Sequence, residues 1–130
     1  MTTRDLDVTP SRERANVERL ATALRELEAT LLTPHGPVEF PIEATYLARV
    51  DSWTLLTPKG ELDILFQPAG TRGYTDLRRD AFEVTLGVPV LVASLRDVIR
   101  MKEAANRPKD IAQLPALRQT LEVIRRRERE

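Results

Sequence analysis

Hydrophobic residues switch period repeatedly along this chain, and that switching constrains the fold more than any single motif. In residues 3–9, Leu6 and Val8 alternate with Asp5 and Asp7, the two-residue period of a strand with one apolar and one acidic face; Pro10 closes it. From Ser11 the spacing becomes helical. Val17, Leu20, Ala21, Leu24 and Leu27 recur with arginine and glutamate between them, and Ser11 is placed to cap the helix. Period two returns in residues 53–57 and 61–66, which flank Pro58-Lys59-Gly60 and predict a hairpin whose second strand is the more buried.

The remaining segments follow the same logic. Thr33-Pro34-His35-Gly36-Pro37 reads as loop, residues 41–50 hold a short helical segment, and residues 68–73 form another loop ahead of a short helix over 74–80. Strands over 81–86 and 88–93 turn at Gly87. Ser94 then caps a helix to about Ala105 with Leu95, Val98 and Ile99 on its apolar side. Pro108 opens a last helix that carries Ile111, Leu114, Leu117, Leu121 and Ile124 on one stripe and ends in a mixed-sign arginine tail. With no internal repeat and no linker, the expectation is one α+β domain over residues 1–130, a mixed β-sheet with packed helices.

Composition narrows what such a domain can do. The 130 residues are 42% hydrophobic and 31% charged, a globular balance, with few aromatics and hence an aliphatic core. Formal net charge is zero, so no overall field draws the chain to nucleic acid or to an anionic bilayer. The absence of cysteine excludes disulfides, thiol nucleophiles and thiolate metal sites, and leaves oxygen-held hard cations. Acids occupy residues 1–10 where a signal peptide would be apolar, and no run is long enough to span a bilayer. The expected setting is cytoplasmic, with no membrane partner.

Chemistry concentrates in few residues. Asp5 and Asp7, two apart on a strand, share a face at a Cα separation of roughly 7 Å, where they either bind divalent cations or simply deter edge-to-edge pairing. Asp63 lies between Leu62 and Ile64, and a carboxylate in such company calls for a cation: a metal, Lys59 or an arginine. Paired acids on one strand and a single acid on another suit two-metal phosphoryl chemistry. Lys102 falls on the apolar face of its helix, so it reaches water or meets a negative charge. Arg107, Lys109 and Asp110 follow within a short turn. Gly70, Arg72 and Gly73 read as a plain turn rather than a phosphate cradle, and His35 has neither an acid nor a nucleophile near it in sequence.

The segments Thr3-Arg4-Asp5-Leu6-Asp7, Gly60-Glu61-Leu62-Asp63-Ile64-Leu65-Phe66, and Ser94-Leu95-Arg96-Asp97-Val98-Ile99 with Lys102 and Arg107-Pro108-Lys109-Asp110 resemble, in that order, bacterial nucleotidyltransferase-like proteins related to the AbiEii type of toxin, within the polymerase-beta superfamily. The resemblance implies a nucleotidyltransferase-like fold and a magnesium or manganese site on Asp5, Asp7 and Asp63, which would also be the catalytic residues. It further implies nucleotide contacts through Lys102, Arg107, Lys109 and Asp110. The implied donor is an NTP, the acceptor in several members is tRNA, and the setting is a toxin–antitoxin pair with a cognate protein partner. The family places a helix and a glycine-serine turn ahead of the acidic pair, whereas Met1-Thr2 directly precede Thr3. The expectation is therefore an N-terminally shortened member, with an uncovered sheet edge that invites pairing with another copy. Two rival readings accompany it: a non-catalytic interaction module of the same fold, and RNA binding without chemistry through Arg72, Arg107, Lys109 and the arginine tail.

Overall fold

The computed structural model describes residues 5–130, so Thr3 and Arg4 of the expected first strand lie outside the described residues. Among the described residues the fold is α+β, with a mixed sheet and five helices. It forms two compact units, residues 1–67 and 68–130.

The first unit contains β1 (Asp5–Val8), α1 (Arg14–Glu26), β2 (Thr30–Thr33), β3 (Gly36–Val38), α2 (Ala44–Leu47), β4 (Ser52–Thr57) and β5 (Gly60–Leu65). Its strands form one sheet in the order β1-β5-β4-β2-β3. β1 runs parallel to β5, while the β5/β4, β4/β2 and β2/β3 pairs are antiparallel. Cross-strand partners share a face, so register sorts the side chains: Leu6 with Leu62, Val8 with Ile64, Ile64 with Trp53, and Leu62 with Leu55. That face carries the core. Val17, Ala21 and Leu24 of α1 are buried with Leu47, Trp53, Leu55, Ile64 and Phe66. Trp53 stacks on Phe40 and donates its indole N–H to the Leu47 carbonyl at 2.9 Å, which satisfies its one polar atom inside the core.

Several expectations about this unit need correction. Residues 33–37, expected as loop, hold the turn of the hairpin β2–β3, with Thr33, Gly36 and Pro37 paired in its strands; Pro37 is tolerated because β3 is an edge strand. The first residue of α1 follows Glu13, not Ser11, whose hydroxyl instead accepts the Glu13 amide at 3.2 Å. Leu27 is exposed and lies beyond the end of α1. In the β4–β5 hairpin it is β4 that buries more, through Trp53, Leu55 and Thr57, because the opposite face of β5 carries acids.

The second unit contains α3 (Tyr74–Arg78), β6 (Phe82–Thr85), β7 (Pro89–Val92), α4 (Leu95–Ala105) and α5 (Pro108–Arg129). Among the described residues β6 and β7 pair only with each other and make a separate two-stranded sheet. Ser94 caps α4, its hydroxyl accepting the Asp97 amide at 3.1 Å. Asn106 ends α4 in the left-handed conformation (φ 53°) that asparagine tolerates, and Pro108 starts α5 at a position that needs no amide donor. α4 and α5 pack together. Leu114 is buried and Leu117 and Leu121 half-buried, whereas Ile111 and Ile124, at the ends of the expected stripe, are exposed. Among the described residues no helix is long and apolar enough to cross a membrane.

Candidate metal centre

The face of the sheet opposite the core is acidic for a reason of register. β1 and β5 are parallel neighbours with Asp7 opposite Asp63 and Asp5 opposite Glu61, so all four carboxylates emerge on one side. Carboxylate oxygens of Asp5, Asp7 and Asp63 lie within 4.8 Å of one another. Asp5 and Asp7 are exposed and Asp63 is half-buried. The three aspartates expected to form the site therefore converge. Glu61, two residues before Asp63 in the strand, shares that face without belonging to the converging group.

Electrostatics make the cluster unsatisfied as it stands. Burial, then the neighbouring Asp7 carboxylate, and then Asp5 and Glu61, raise the Asp63 pKa above the ordinary carboxylate value. Its Oδ1 is buried without a hydrogen-bond partner. Neither Lys59 nor any arginine among the described residues forms an ion pair with it. A buried anionic oxygen with acids around it and no cation is costly, and a divalent ion would relieve the repulsion and fill the orphaned acceptor together. The oxygen-only donor set suits a hard cation such as magnesium or manganese. The acidic triad can hold a metal ion.

In the second unit, Lys102, Arg107 and Asp110 come together around the Asp110 carboxylate, which is fully buried. The Arg107 guanidinium donates to it through Nε at 2.7 Å and Nη2 at 3.2 Å, the Arg107 backbone amide donates at 3.1 Å, and Lys102 Nζ lies 3.7 Å away. The Arg107 hydrogen bonds are the main cause of the lowered Asp110 pKa. Asp110 sits at the third position of α5 and closes a capping box onto Arg107, so the sequence Arg107-Pro108-Lys109-Asp110 has a local structural purpose. Lys102 meets a negative charge on its apolar helix face, one of the two outcomes its position allowed. Lys109 is exposed.

The loop at Gly70 behaves as a turn. The amides of Thr71, Arg72 and Gly73 are spent on the Pro68 carbonyl, the Asp76 carboxylate and the Thr71 hydroxyl. Asp76 also accepts from Arg100, whose Nη2 reaches Asp97 at 3.0 Å, a network that sequence spacing did not reveal. His35 is exposed, and its backbone amide donates to the Thr33 hydroxyl. No family model, curated protein or solved structure matches the chain.

Proposed function

We propose that this chain is a metal-dependent nucleotidyltransferase of nucleotidyltransferase-like fold, moving a nucleoside monophosphate from an NTP to an acceptor such as tRNA. The reading rests on one observation, the convergence of Asp5, Asp7 and Asp63 from two parallel neighbouring strands. Magnesium or manganese held there would supply Lewis-acid stabilisation of phosphate oxygens. Asp5 and Asp7 would hold the ion from β1. Asp63 would complete the site and help to orient or deprotonate the acceptor hydroxyl. The hydroxyl oxygen bonds to the α-phosphorus, the bond to the bridging oxygen breaks, and pyrophosphate leaves. Lys102, Arg107 and Lys109 would carry the nucleotide-binding role that the resemblance assigns them, with Asp110, named with them by the resemblance but fully buried, holding Lys102 and Arg107 in place, within a cytoplasmic toxin–antitoxin pair.

The test is transfer of label from each α-labelled NTP to bulk RNA, beside calorimetric titration with magnesium and nucleotide. Transfer lost in Asp63→Asn supports the proposal; absence of both binding and transfer contradicts it. A second reading, a non-catalytic module that binds a cognate protein or pairs with another copy, is favoured by the closeness of Lys102 to Asp110, since that lysine already has a carboxylate. It predicts tight partner binding that Asp63→Asn leaves unchanged.

A further inference from the structure

A groove of about 450 Å³ opens between α4 and α5. Each helix lends it one face at the same spacing: Arg96, Ile99, Arg100 and Glu103 from α4, and Arg118, Leu121, Glu122 and Arg125 from α5. The charges in it are unevenly matched. Arg100 is held by Asp76 and Asp97, Arg118 by Glu103 at 3.0 Å, and Glu122 by Arg126 and Arg129. Arg96 and Arg125 have neither ion pair nor side-chain hydrogen bond among the described residues. Four arginines against two glutamates leave the lining two positive charges. Between the cations Ile99 and Leu121 supply an apolar floor.

We propose that this groove binds a phosphate monoester, with the phosphate on Arg96 and Arg125 and the organic body over Ile99 and Leu121. A phosphate monoester carries about −1.5 to −2 charges at pH 7, which matches the lining, and the guanidinium fork suits phosphate oxygens. The volume falls in the range of about 300–1,000 Å³ typical of small-ligand sites. The second unit as a whole favours such a ligand, with thirteen basic residues against nine acidic. The groove shares no residue with the acidic cluster, and the proposal goes beyond nucleotide transfer. A free small ester and the terminal phosphate of an RNA present the same chemistry.

The experiment is calorimetric titration in EDTA of the full chain with inorganic phosphate, phenyl phosphate, and an oligouridylate with and without a 5′-phosphate. Phenyl phosphate should bind more tightly than inorganic phosphate. R96A/R125A should weaken it by about tenfold or more, since a charge-assisted hydrogen bond to phosphate contributes at least that factor. Arg127→Ala, which removes an exposed charge outside the groove, should leave it unchanged. A 5′-phosphorylated oligouridylate that outbinds phenyl phosphate identifies RNA ends as the source, and the reverse identifies a small ester; both require the groove. Binding that survives R96A/R125A, falls equally in Arg127→Ala, disappears in Asp63→Asn, or fails for every probe overturns the proposal.

Discussion

Asp63 is the residue whose surroundings suit its charge least. Its carboxyl is buried enough, and close enough to Asp7, that the folded state favours its protonated form. Because its folded pKa is raised, the native state binds more protons than the unfolded chain above 3.8, and its contribution to stability falls as pH rises through the raised value. Asp110 and Asp76 have the opposite sign: their lowered values contribute stability above 3.8 that is lost as pH falls through them. Asp63→Asn should therefore stabilise the metal-free protein near pH 7 by about 1 kcal/mol, because the neutral amide removes the repulsion with Asp7, Asp5 and Glu61, an effect reduced by solvent near the exposed cluster. Chemical denaturation in EDTA measures this. Asp110→Asn should instead lower stability and speed hydrogen exchange over the first turn of α5, read by mass spectrometry. The need of Asp63 and Lys102 for partners was legible because each interrupts an apolar pattern. The partner of Lys102 was not, because Asp110 looks exposed in the sequence beside Arg107 and Lys109 and becomes buried only when the capping box forms.

At the scale of elements, strong periodicity read well and short punctuated segments did not. β1, β4, β5, α4 and α5 carry several residues of one period, whereas β2–β3 packs two prolines and a glycine into residues 34–37 and resembles a loop. Two-residue alternation also cannot say which sheet a strand joins. β6 and β7 alternate no less plausibly than β4 and β5, yet among the described residues they pair only with each other. Tight packing gives a test in each unit. Gly70 has φ +76°, and a Cβ there would meet the Ala104 Cβ at 2.7 Å, so Gly70→Ala should destabilise by about 1–3 kcal/mol. Ile64→Ala, at a fully buried position beneath the acidic face, should cost about 2–5 kcal/mol. Both are read from denaturant midpoints at unchanged slope, with the single tryptophan, Trp53, reporting the first unit.

Across the whole molecule, zero net charge conceals a division of sign. Residues 1–67 hold seven basic and eleven acidic residues, while 68–130 hold thirteen and nine. The overall balance suggested that no field acts on the chain, yet an acidic unit suited to cations and a basic unit suited to anions are joined in one sequence. Whether Asp5, Asp7 and Asp63 act as one cation site decides the functional reading. Thermal unfolding followed by Trp53 fluorescence, with magnesium or manganese titrated into EDTA-treated protein, measures it. The midpoint should rise with cation concentration in the wild type and stay flat in Asp63→Asn. An equal rise in the two proteins, or none in the wild type, would contradict a shared site.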